Sequence, residues 1–181
     1  MTVPAAERPD VAPLTPSSDT GPETGPDATT PDAPLCSPWG EDPGDHPLPD
    51  HPRPMLERTR WASLNGWWEY TVTTATGPRD APLDDEPVPV HWDGSIRVPF
   101  ALESAASGVT RALAPEEVLH YHRRIVLPEE WQGGRIALNF EAVDFRCLVR
   151  VDGRIVGHHE GGYLPFTVEL PDTHRPEVEV V

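Results

Sequence analysis

Residues Arg135 to Glu141 separate cleanly into two faces. Ile136, Leu138 and Phe140 point one way, and Arg135, Ala137, Asn139 and Glu141 the other. A period of two marks a strand with one buried face. Farther along, Cys147, Val149 and Val151 repeat the pattern and lead into Asp152-Gly153, with a second apolar stretch beyond. Asp-Gly accepts the positive φ angles of a type I′ turn, so this pair predicts a hairpin. Other short strands are predicted at Trp68–Thr73, Ser95–Val98, Tyr121–Leu127 and Phe166–Leu170, several of them stopped by proline. No stretch carries a long helical period. Many short strands separated by turns predict an all-β chain, a β-sandwich.

Residues 1 to about 54 differ in composition. They hold 14 of the 24 prolines, one aromatic (Trp39), and ten acidic residues against two basic ones. Such a stretch buries too little apolar surface to offset the entropy of ordering, and it is expected to be a disordered acidic Pro-rich tail. The folded domain is expected over residues 55–181. Within it, residues 77–90 carry four prolines and a run of acids, and they read as a loop.

The formal net charge is -16, and all 14 basic residues are arginine. That balance disfavours nucleic acid and anionic membrane surfaces as partners. No apolar run is long enough to span a bilayer, and the first ten residues lack the basic start and apolar core of a signal peptide. The chain is therefore read as cytoplasmic. Its cysteines, Cys36 and Cys147, are expected to be unpaired in a reducing compartment.

Six blocks occur in a telling order. They are Arg60-Trp-Ala-Ser-Leu-Asn-Gly-Trp-Trp-Glu-Tyr70, Ile96-Arg-Val-Pro-Phe-Ala-Leu-Glu-Ser104, Leu127-Pro-Glu-Glu-Trp-Gln-Gly-Gly134, Phe140-Glu-Ala-Val-Asp144, Val151-Asp-Gly153 and His159-Glu-Gly-Gly-Tyr-Leu-Pro-Phe166. Together they resemble the N-terminal sugar-binding domain of glycoside hydrolase family 2, which contains β-galactosidases, β-glucuronidases and β-mannosidases. The resemblance runs from Pro54 to the end of the chain. It implies a jelly-roll β-sandwich similar to galactose-binding domains. It also implies that the complete enzyme hydrolyses terminal β-glycosides with retention.

Retaining glycosidases use two carboxyl groups about 5–5.5 Å apart. In this family both are glutamates of a barrel that follows later in the chain, and no residue here matches the barrel motifs. The resemblance therefore implies no catalytic residue among these 181. Glu103, Glu141, Asp144 and Glu160 read as solvated or turn-forming acids. No cofactor is implied. The partners implied are a β-glycoside substrate in the full enzyme and the immunoglobulin-like and barrel domains, with a homo-oligomer left open.

The loop His159, Glu160, Gly161, Gly162 and Tyr163 is the functional candidate, as a substrate-proximal or barrel-interface element. Its two glycines allow a tight turn or a close approach. In sodium-dependent β-galactosidases the matching loop offers an Asp to substrate and metal. Gly161 stands nearest to that position here, and His-Glu-Gly-Gly-Tyr is more similar to the glucuronidase version. His120 and His122 share one strand face, but two histidines without further ligands do not make a zinc site. Of Trp67 and Trp68, one ring is expected to face inward and the other outward.

Two alternatives stand beside the enzyme fragment: a free-standing carbohydrate-binding module and an inactive remnant. The strand pattern Glu177–Val181 breaks off with the chain. A cut strand is expected to expose a sheet edge and leave the isolated chain marginally stable or prone to aggregate.

Overall fold

The computed structural model describes residues 43–181. Residues 1–42 lie outside them, and with them Cys36, Trp39 and most of the expected disordered tail. The described residues form eight strands and four short 3-10 turns, with no α-helix among them. The strands are β1 (Gly66–Thr74), β2 (Gly94–Val98), β3 (Glu117–Val126), β4 (Ala137–Phe140), β5 (Arg146–Val151), β6 (Arg154–Glu160), β7 (Phe166–Glu169) and β8 (Glu177–Val180).

Six of them make one sheet in the order β2-β1-β3-β8-β5-β6, and β4 and β7 make a second. Every pairing is antiparallel. The inward residues of both sheets meet in one core. Leu138 and Val168 come from the small sheet; Val149, Val151, Val178 and Val180 come from the large one, with Leu127 and Leu170 beside them. This is the expected all-β sandwich. Burying such side chains is the main favourable term in folding, about 25 cal/mol for each Å² of apolar surface removed from water.

The alternations foretell which side chains enter that core. Leu138 is buried between exposed Ala137 and Asn139, and Val149 and Val151 are buried while Cys147 is half-buried. The Asp152-Gly153 turn has φ of 49° and 75° at its two residues. Both values are positive, as a type I′ hairpin requires. Gly157 lies close against the small sheet: a Cβ added there would run into the side chain of Val168.

Two boundaries differ from the expectation. Residues 43–54, assigned to the tail by composition, lie along the sandwich. Asn65 Nδ2 donates to the Pro47 and Leu48 carbonyls at 3.2 Å each, Trp67 Nε1 donates to Asp45 Oδ1 at 2.9 Å, and Arg53 pairs with Glu141 at 2.6 Å. These contacts span many residues and leave no periodic trace in sequence. The last strand also departs from the expected exposed edge. β8 is an interior strand, where Val180 faces Arg123 of β3 on one side and Val151 of β5 on the other.

The acidic stretch at residues 77–90 is a loop with one 3-10 turn, Leu83–Asp85. It crosses the outer face of the large sheet, away from the core. Arg146 donates to the Arg79 carbonyl at 2.7 Å, and Arg150 to the carbonyls of Asp84 and Glu86 at 2.9 and 3.1 Å. His158 Nε2 meets Asp84 Oδ1 at 2.6 Å. The arginines of β5 thus hold an acidic loop that the core does not.

Candidate functional site

The loop after β6 divides the candidate residues between two sides. Residues alternate along β6, so His158 faces the acidic loop and His159 faces the core. His159 stacks on Phe166 with ring centroids 4.2 Å apart, and Phe166 stacks on Phe140 at 4.7 Å. Its Nε2 also lies 2.9 Å from the Gly161 carbonyl. His159 therefore supports the loop from beneath and does not project from the rim. Glu160 lies across from Arg146 and is exposed.

Gly161 adopts φ of 121°, a conformation that glycine enters without penalty. Its N–H donates to the Phe145 carbonyl at 2.7 Å. Gly162 packs on Asp144, where an added Cβ would lie 2.6 Å from Oδ1. The loop is thus clamped to the Asp144-Phe145 corner. Beyond the clamp Tyr163 is 95% exposed, and Leu164 and Phe145 are exposed with it. The Gly161 N–H bond to its carbonyl brings exposed Phe145 to the same loop as exposed Tyr163 and Leu164, and these are the apolar side chains of the rim. Sequence reading found Tyr163 but missed Phe145 and Leu164. In sequence Phe145 opens the apolar stretch that runs to Val151, and only the Gly161 N–H bond to its carbonyl brings it to the loop.

Cys147 lies under this corner, half-buried, and burial pushes its thiol pKa up. A thiol in that state is a poor nucleophile. Among the described residues no cluster of three or more His, Cys, Asp or Glu could hold a metal ion.

The tryptophans split as the pleat requires. Trp68 packs against the core and donates through Nε1 to the Leu64 carbonyl at 2.9 Å. Trp67 faces the other way, with the Arg97 guanidinium 4.5 Å from its ring centroid. Trp92 stacks on His122 and Trp61 lies against His51. These rings are committed to packing inside the domain. Trp67 remains partly exposed beside Arg97, and Phe145 and Tyr163 are the more exposed aromatics.

No family model matches the chain. Among curated proteins it is similar to β-glucuronidase of Canis lupus familiaris, 28% identical over 137 residues, covering 66% of this chain and 19% of the dog protein. It is similar to β-glucuronidase of Paenibacillus borealis, 22% identical over 110 residues, covering 59% of this chain and 17% of that protein. A shorter match, 33% identical over 52 residues, is to β-galactosidase of Thermoanaerobacter pseudethanolicus, covering 29% of this chain and 7% of that protein. The chain thus spans less than a fifth of the length of these relatives. Among solved structures, Faecalibacterium prausnitzii β-glucuronidase superposes with a TM-score of 0.49 at 22% identity, covering 68% of this chain and 21% of that one. Lactobacillus rhamnosus β-glucuronidase gives 0.47 at 24% identity, covering 65% and 20%. The sequence and structural neighbours of this chain are therefore β-glucuronidases and β-galactosidases, enzymes of glycoside hydrolase family 2.

Proposed function

We propose that this chain is the N-terminal sandwich region of a cytoplasmic family 2 glycosidase of the β-glucuronidase or β-galactosidase type. The complete enzyme hydrolyses terminal β-glycosidic bonds in carbohydrate metabolism. The sandwich braces the catalytic barrel and shapes the mouth of the substrate pocket, and the barrel supplies the two catalytic carboxylates. One observation carries this reading. The ordered blocks from Pro54 onward lie in a chain whose curated relatives are glycosidases, and the match to the dog enzyme runs through two thirds of it.

The rim at Phe145, Tyr163 and Leu164 supports the bracing role. Single exposed apolar residues are ordinary, but Tyr163 and Leu164 side by side on a loop bonded to the exposed Phe145 corner suit a surface that another domain covers. Substrate contact falls to Glu160 and Tyr163, the loop residues that point away from the core.

The test has two arms. The purified 181-residue chain is assayed against chromogenic β-glucuronide, β-galactoside and β-mannoside substrates, and no turnover above buffer is expected. A chimera then replaces the matching N-terminal region of a β-glucuronidase with residues 43–181, and measurable turnover is expected. Turnover by the isolated chain, or a folded chimera with none, overturns the reading.

A further inference from the structure

The outer face of the large sheet holds a histidine for which sandwich packing has no need. His122 is only 5% exposed, yet it points away from the apolar core and toward two acids. On β1, Glu69 lies directly across from it. On β8, Glu179 reaches it from the next register position. His122 Nδ1 is 2.5 Å from Glu69 Oε2, and Nε2 is 2.8 Å from Glu179 Oε1. Trp92 covers the ring, stacked at 4.8 Å with 11° between planes.

A carboxylate oxygen only accepts hydrogen bonds, so each ring nitrogen must carry a hydrogen to meet one at these distances. A neutral imidazole has a single N–H. Both contacts are hydrogen bonds only in the imidazolium form, and then both are charge-assisted. Loss of the proton sets a nitrogen lone pair against a carboxylate, and one glutamate must swing away.

Most other polar groups nearby have partners of their own. On β3, His120 meets Thr73 Oγ1 at 2.9 Å, while Arg124 lies directly across from Glu179 in the register. Next to Trp92, Asp93 accepts from Thr71 Oγ1 at 2.7 Å and from the Val72 N–H at 3.2 Å. On the β5 side, Asp152 accepts the Glu179 N–H at 3.0 Å and pairs with Arg175 at 2.9 Å. Arg150 donates to the acidic loop, whose Glu86 bonds the Thr76 N–H at 2.9 Å.

We infer that His122 is a proton-operated clamp across three strands. Protonated, it ties β1 and β8 to β3. On losing its proton it releases one carboxylate, and the seam between β3 and β8 loosens where Arg123 faces Val180. The clamp is made while the ring carries its proton and both glutamates are carboxylates, and it opens when the ring gives that proton up.

The experiment follows the full 181-residue chain, with ¹⁵N-labelled histidine, across the histidine range of about pH 5 to 8. Ring-nitrogen shifts report the protonation of His122, and amide exchange reports protection factors at Arg123 and Val180. The expected result is a doubly protonated ring while those amides are protected, and a several-fold fall in protection as the ring loses its proton. His122→Gln should abolish the pH-dependent step, Glu179→Gln should shrink it, and His120→Asn should leave it. A ring that is neutral while protection stays high overturns the clamp, and so does an unchanged step in His122→Gln. If His122→Gln does not fold, the ring shifts of the natural chain and the Glu179→Gln variant decide.

Discussion

His159 lies flat on Phe166, with 4.2 Å between ring centroids and 11° between planes, and so joins the end of β6 to the start of β7 beneath the candidate loop. Stacked rings add about 1 kcal/mol beyond the area they bury. Replacing His159 by Ala should lower stability by about 1–2 kcal/mol and speed amide exchange at Gly161, whose N–H holds the Phe145 carbonyl. Tyr163→Ala should change stability by less than about 0.5 kcal/mol, as exposed positions do. Urea melts of the two variants check the contrast. A larger loss in Tyr163→Ala would mean that the rim is part of the fold rather than a surface for other groups.

Gly157→Ala should destabilise the sandwich by about 1–3 kcal/mol, the usual cost of overpacking. The added methyl would meet the Val168 side chain between the sheets. Val168→Ala in the same chain should restore part of the loss, because the two changes share one space and are not additive. A double-mutant cycle from denaturant melts measures the coupling.

Gly153→Ala should cost about 1–2 kcal/mol, the penalty for placing an L side chain in left-handed backbone. Gly153 has φ of 75° and nothing within 4 Å of an added Cβ, so the effect would be conformational alone. Thermal melts compared with those of a Gly94→Ala variant, where φ is not in that range and an added Cβ makes only ordinary contact at 3.5 Å, check this.

His120 gives a pH dependence whose sign follows from its burial. Burial lowers its pKa, because the half-buried ring resists taking a charge, while Glu86 partly opposes the shift. A group with a depressed folded pKa stabilises the fold above its unfolded value, about 6.5 for histidine. That contribution is lost as pH falls below this value. Melting temperatures of the natural chain and His120→Asn should therefore draw together between about pH 7 and pH 5. A gap that widens on acidification would contradict the assignment.

Much of the sandwich was legible because its strands carry their own signals. Leu138, Val149 and Val151 went to the core as their alternation required, Pro99 closed β2, and Asp152-Gly153 made the hairpin. The rim was half legible. Gly161 and Gly162 announced a special turn, and Tyr163 was found beside them. Phe145 was not, since its place there depends on a carbonyl 16 residues away from the N–H it accepts. His120 and His122 were seen to share a face. That one meets a threonine and the other two glutamates depends on which strands lie alongside.

By itself, the sequence determined the strands, the faces they bury, the turn chemistry and the resemblance to family 2, since each is written in neighbouring residues or in ordered blocks. Only the tertiary structure decided that β8 runs inside the sheet, that residues 43–54 lie along the sandwich, and that the acidic loop crosses β5. These choices rest on contacts between residues far apart in the chain. Strand order depends on which edges pair, and no local period encodes that. The same non-local pairing put Glu69 and Glu179 on either side of His122, because a sheet sets side by side residues that the chain separates by more than 50 positions.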